Sequence, residues 1–346
     1  MKVSEICKYA PKSNIKARDA CDGGKYVFFT SSADESKRYN AYQHEGEGII
    51  MGTGGNATLH YYDGKYAVST DCIVLLPNEQ IRCKYLYYFF LGNMRVLERG
   101  FKGAGLKHTN KGYIGDIDIG DIPSFERQEK IIGIFDTLQS IIDLRKSEIE
   151  RLDNLIKARF VEMFGSPVSN PMSWEKRTLK EVCIKLNDGS HFSPESFETG
   201  DYKYVTAKNI KFSGFDFSNI TYVPEAVHRP IFDRCNPEFE DVLYIKDGAT
   251  TGVAIVNTLD EEFTLLSSVA LLKQDRSIMN GYFLATLLNN KDMYLNIRNN
   301  MGGAAITRLT IAKLNAIEII VPPIELQNQF AAFVAEVDKS GFDKVV

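Results

Sequence analysis

The chain is 346 residues long, with 44% hydrophobic and 25% charged residues and a formal charge of −4. That length exceeds one ordinary domain, and the composition is that of a globular protein, not a disordered or fibrous one. No apolar run approaches the ~20 residues of a membrane-spanning helix, the opening Met1-Lys2-Val3-Ser4-Glu5 has no apolar signal core, and the acidic balance lacks the basic excess common in nucleic-acid binders, although a total can hide a local basic face.

The six cysteines are scattered without a Cys-x-x-Cys pair, which predicts reduced thiols in a cytoplasmic protein. The five histidines have no metal-ligand spacing, so no metal and no cofactor is expected.

Residues 1–123 predict a first mixed module. Tyr26-Val27-Phe28-Phe29, Gly48-Ile49-Ile50-Met51 and Cys72-Ile73-Val74-Leu75-Leu76 predict strands separated by Gly-rich turns, and residues 85–97 predict one buried helix. The loop Thr53-Gly54-Gly55-Asn56 lacks the Lys-Ser/Thr of a P-loop, so a tight hairpin is the simpler reading.

The texture then changes. From Ser124 to Phe164 there is no proline, and Gly133 is the only glycine. Ser124 suits an amino-terminal cap and Glu126 and Glu129 the first turn. Ile131, Phe135, Leu138, Ile142, Ile149, Leu152 and Ile156 mark the seam of a long helix that packs on another helix, with a break at Arg145. Forty residues at ~1.5 Å each make a rod of roughly 60 Å. Gly165-Ser166-Pro167 ends it, closing a spacer over 124–165.

Residues 166–321 predict a second mixed module. Its strands are expected at residues 204–206, 241–245, 253–256 and 268–272, with a helix over 280–289, and Trp174 is expected to plug its base. A last helix over 322–346 carries Phe330, Phe333, Val334 and Val337.

The chain says nearly the same thing twice. Ile49-Ile50-Met51-Gly52-Thr53-Gly54 is echoed by Val242-Leu243-Tyr244-Ile245-Lys246-Asp247, and Ile122-Pro123-Ser124-Phe125-Glu126-Arg127-Gln128 by Val321-Pro322-Pro323-Ile324-Glu325-Leu326-Gln327. Two related modules at a set separation suit the reading of two places on one extended ligand better than one buried catalytic pocket.

With Asp241 to Gly252, the phrase Ala304-Ala305-Ile306-Thr307-Arg308-Leu309 and the Pro-Pro-Ile-Glu-Leu-Gln joint, the sequence resembles the specificity (S) subunit of type I restriction–modification systems over almost its whole length. The resemblance implies an α+β fold: two mixed α/β target-recognition domains separated by long helices that pack as an antiparallel coiled coil. It implies a non-catalytic reader of double-stranded DNA, one half-site per domain, that docks DNA methyltransferase and restriction subunits. Such proteins close with a second helix as long as the first. Here it stops near Val346, which raises truncation, rearrangement or a homodimer through the long helices.

Base edges are read by Arg, Lys, Asn and Gln, and phosphates by Lys, Arg, Ser, Thr and Asn. The loops that carry these types nominate Lys37, Arg38, Thr53, Asn56, Lys107, His108, Asn110 and Lys111 in the first module. In the second they nominate Ser190, His191, Lys208, Asn209, Lys246, Thr250, Thr251 and Arg308. Tight turns and solvated basic loops are the plain alternative for all of them. Two rival functions stay open: a DNA-modifying enzyme, against which stands the lack of an Asp/Asn-Pro-Pro-Tyr/Phe motif, and a two-headed protein–protein adaptor.

Overall fold

The structure, a computed structural model, describes residues 1–299, 301 and 308–342, the last four by backbone alone. The sequence phrase over 304–307 lies outside them. The chain forms two compact units, Met1–Arg145 and Lys146–Val346.

In the first unit α1 (Val3–Ile6) runs directly into β1 (Cys7–Tyr9), followed by β2 (Tyr26–Phe29), β3 (Arg38–Tyr39), β4 (His44–Gly52), β5 (Leu59–Val68) and β6 (Cys72–Pro77). They form one sheet in the order β1-β6-β4-β5-β2-β3, antiparallel except where β2 runs parallel to β5. Ile49, Ile50 and Met51 are consecutive and all buried because both faces of β4 are covered. Ile49 and Met51 join Leu75, Leu86 and Phe90 on one side; Ile50 joins Phe29, Tyr66, Val68 and Val74 on the other.

The helix expected over 85–97 is two helices, α2 (Cys83–Gly92) and α3 (Met94–Glu98). Asn93 breaks it: its backbone leaves the helical region at φ −124°, ψ 35°, and its amide donates to the Phe90 carbonyl. After α4 (Lys111–Gly115) comes α5 (Phe125–Phe164), one helix over the whole stretch expected of it. Its start is fastened to α2. Gln128, 1% exposed, accepts from the Arg82 amide at 2.7 Å and donates to the Pro123 carbonyl at 2.9 Å. Asp136, a little over two turns further along, accepts from Lys84 at 2.8 Å and Tyr88 at 2.5 Å, and Phe135 stacks on Tyr88. Gly165 ends α5 at φ +74°, a left-handed closing conformation that favours glycine.

The second unit begins with β7 (Lys176–Thr178), α6 (Leu179–Val182), β8 (Cys183–Asp188), β9 (Tyr202–Val205), the hairpin β10 (Ile210–Lys211) and β11 (Gly214–Phe215), β12 (Thr221–Val223) and α7 (Glu225–Arg234). It continues with β13 (Val242–Ile245), β14 (Ala254–Val256), β15 (Thr264–Leu265), β16 (Val269–Gln274), α8 (Gly281–Asn289), α9 (Lys291–Asn299), α10 (Ile311–Asn315), β17 (Glu318–Ile320) and α11 (Ile324–Phe342).

The antiparallel sheet β8-β16-β13-β14 repeats β1-β6-β4-β5 of the first unit strand for strand. The parallel pair β9–β15, with β12 antiparallel outside it, repeats β2 with β5 and β3. The duplication seen in the sequence is thus a duplication of topology.

The carboxyl end of α5 packs inside the second unit. Phe160 and Phe164 meet Phe283 of α8 and Phe330 of α11 at ring-centroid distances between 4.8 and 5.7 Å. Arg159, earlier in α5, lies over Phe333, later in α11, so the two helices run antiparallel. Val334 and Val337 are buried there as well. Of the expected seam, Ile131, Leu152 and Ile156 are half-buried, whereas Phe135, Leu138, Ile142 and Ile149 are exposed. Helix-on-helix packing within the chain therefore holds at the end of α5, and the middle of the seam stays open to solvent.

Candidate nucleic-acid interface

The nominated loops gather at one end of each sheet, because equivalent strands begin or end there. In the first unit β1, β2 and β4 end on this side and β6 starts on it. Backbone bonds tie the loops into a platform. Thr53 donates to the Asp71 carbonyl at 2.8 Å, Thr109 to the Thr53 carbonyl at 3.0 Å and Gly55 to the Lys107 carbonyl at 2.9 Å, with Gly54 and His108 paired as an antiparallel bridge. A Cβ at Gly54 would lie 3.3 Å from the His108 ring, a tight contact against an exposed side chain. Asn110 caps α4 by accepting from the Tyr113 amide. Lys111 opens α4 and lies over the Tyr9 ring. Asn56, Lys107, His108, Asn110 and Lys111 are all exposed on this platform.

The other two residues nominated in this unit are engaged locally. Lys37 is half-buried and donates to Thr30 at 3.1 Å; Arg38 donates to the Glu35 and Lys37 carbonyls at 2.7 and 2.9 Å. These bonds hold the loop between β2 and β3.

The second unit builds the same platform. Lys246 donates to the Ser268 carbonyl at 2.9 Å, Leu309 to the Lys246 carbonyl at 2.8 Å, and Asp247 pairs with Arg308 as an antiparallel bridge. The registers β4–β6 and β13–β16 align Thr53 with Lys246, Gly54 with Asp247 and His108 with Arg308. Counting along β1 and β8 aligns Pro11 with Asp188.

The fillings differ. In the second unit an ionic chain runs from the interior outwards. Lys246 lies 3.3 Å from Asp188 and 2.8 Å from Asp247, and Lys246 and Asp188 are only 2% and 4% exposed at the side chain. Asp247 Oδ1 lies 3.2 Å from Arg308 Nε, an ionic contact that is not aligned as a hydrogen bond. His191, exposed, lies 3.1 Å from Asp188. The first unit has the uncharged Pro11, Thr53 and Gly54 at the matching places, and a cleft of about 220 Å³ lined by Pro11, Lys12, Thr53, Thr109, Asn110 and Lys111. A wider cleft of about 540 Å³ in the second unit has an acidic wall of Glu238, Asp260, Glu261 and Glu262, which repels a phosphate backbone.

Four nominated residues do not face outward. Ser190, Asn209, Lys246 and Thr251 are buried. Ser190 donates to the Phe192 carbonyl, Asn209 accepts from Thr206 and Thr251 donates to the Gly248 carbonyl. They shape the loops, because a buried polar group is stable only when bonded within the fold. His191, Lys208, Thr250 and Arg308 are the exposed ones. Sequence reasoning did not nominate Asp188 and Asp247 as parts of the site; the signal was a carboxylate two residues before the nominated Ser190 and another beside the nominated Lys246.

The model of the type I restriction modification DNA specificity domain matches residues 1–154 and 171–343. The chain belongs to this family. Among specificity subunits it is 24% identical over 157 residues to the type I restriction enzyme EcoDI specificity subunit of Escherichia coli, a match covering 45% of this chain and 34% of that one. The match thus spans about a third of that relative's length. A crystal structure of the type I restriction–modification S subunit from M. genitalium is similar in fold with TM-score 0.63 at 15% identity, covering 99% of this chain and 89% of that one. The HsdS subunit from Thermoanaerobacter tengcongensis aligns with TM-score 0.39 at 17% identity, covering 99% and 89%. The mixed α/β modules and long central helix of this chain are thus a fold it shares with the M. genitalium subunit, and DNA specificity is the family's role.

Proposed function

We propose that this chain is the DNA-reading subunit of a cytoplasmic type I restriction–modification complex. Each unit reads one half of an asymmetric bipartite site in double-stranded DNA, α5 serves as the spacer, and separate methyltransferase and restriction subunits carry out the chemistry. The observation that carries this reading is the platform built twice at equivalent strand ends with different exposed side chains. One scaffold repeated with different fillings suits two different half-sites. Linking two weak contacts raises overall affinity through effective concentration. The exposed middle of α5 offers apolar area for those subunits or for a second copy of the chain.

Selection of randomised duplexes by the full chain tests the proposal. The expected motif is bipartite and asymmetric, with affinity that falls steeply as salt rises, because binding releases counterions from the backbone. With S-adenosylmethionine and the selected duplex, the chain alone is expected to transfer no methyl group. A palindromic motif, salt-insensitive binding or methylation by the chain alone would overturn the reading.

A further inference from the structure

The matched platforms make a finer reading possible. At the bridge position the first unit carries His108 and the second Arg308, and only the second backs that position with charge. We infer that Arg308 is the guanine-reading residue of the second unit, held for that task by Asp247 and, through it, by the buried Lys246. This rests on the proposed DNA-reading role.

Three observations carry the assignment. Arg308 is 61% exposed at the side chain and stands on the end of the sheet where the loops converge. Its Nε lies 3.2 Å from Asp247 Oδ1, while Asp247 Oδ2 lies 2.8 Å from Lys246. The guanidinium is therefore anchored by one edge, and the two Nη groups are the pair whose spacing matches guanine O6 and N7. The anchor reduces the entropy lost when a flexible side chain is fixed on binding.

The third observation is the sign of the anchor. A carboxylate beside Arg308 offsets its charge and repels a phosphate, so the pair is poorly suited to a backbone contact. A base edge bears no net charge and takes the fork without that penalty. Lys107 and Lys111 of the first unit, by contrast, stand on a platform that has Gly54 where the second unit has Asp247.

The platform itself needs no ions, since the first unit builds it with Pro11, Thr53 and Gly54. The ion chain in the second unit accordingly serves what is presented there. It makes this position a point where the two units differ in what they read.

The test is duplex selection with sequencing at two salt concentrations, using the full chain and its R308K and R308Q variants. R308K keeps the charge beside Asp247 and removes the fork. The wild type is expected to enrich guanine at one position of one half-site. R308K and R308Q should lower that preference roughly ten- to a hundred-fold at that position alone, leave the other half-site unchanged, and melt like the wild type. Undiminished guanine preference in R308K would overturn the assignment. So would uniform weakening of all sequences by R308Q with a shallower salt dependence, the mark of a phosphate contact. Failure of the wild type to bind any duplex at low salt would overturn the DNA-reading role itself, which separates the two outcomes.

Discussion

Lys246 is a buried charge of the second unit, an ammonium set between Asp188 and Asp247 with almost no contact with water. A buried pair adds little to stability as a whole, because desolvation consumes most of the Coulomb gain, yet removing one member strands the others. Lys246→Met is therefore expected to destabilise the protein by about 3–5 kcal/mol, read from the denaturant midpoint at neutral pH; a loss below about 1 kcal/mol would show that water already reaches the two carboxylates. The sequence made Lys246 look like a DNA contact, since a lysine in a Gly-rich polar loop is ordinarily solvated. Nothing local signals that Asp188, nearly sixty residues earlier, closes over it. Arg308 and His191, by contrast, were legible as exposed polar loop residues, although the carboxylates beneath them were not.

The element that repeats most faithfully is the joint where a head meets its helix. Gln327, fully buried, accepts from the Asn280 amide at 2.9 Å and donates to the Ile278 and Pro322 carbonyls at 3.0 and 2.7 Å. Gln128 does the same work at the start of α5. Gln327→Leu leaves a buried amide and two carbonyls without their partner, each worth about 1–3 kcal/mol when unsatisfied. We expect a loss of several kcal/mol by chemical denaturation, and a smaller loss for Gln128→Leu, which strands one amide and one carbonyl. The joint was readable as a motif, Pro-x-x-Glu-x-Gln, but its reason was not, since the partners lie 46 and 47 residues upstream. Strands at Tyr26–Phe29 and Val242–Ile245 were legible from unbroken apolar runs. The ten-residue β5 was not: Asp63-Gly64-Lys65 at its centre has the chemistry of a turn, and only pairing with β4 holds it extended. Trp174, expected at the base of the second head, is half-buried against its core and donates to the Phe164 carbonyl at 3.0 Å, closing the end of α5.

At the scale of the whole molecule, the duplicated order of strands was legible because the Gly-rich turn after β4 and its echo after β13 fall in the same register in sequence and in structure. The partner of the α5 seam was not, because spacing shows that a face is apolar without showing what covers it. Leu138, Ile142 and Ile149 lie about half exposed, and apolar area in water costs ~25 cal/mol per Å². The isolated chain is expected to self-associate at micromolar concentration in sedimentation, and Ile142→Asp to return it to a monomer; a wild type that sediments as a clean monomer would remove that reading. The Met1 amino group bonds to Asp118 and Lys2 bridges the same residue, while β7 pairs with β17 from Lys176↔Ile320 to Thr178↔Glu318. Both chain ends of a head therefore emerge side by side, so a head behaves as a cassette: it can be lifted out and another grafted at the same two cuts, or the chain reopened there, without stretching any strand across the gap.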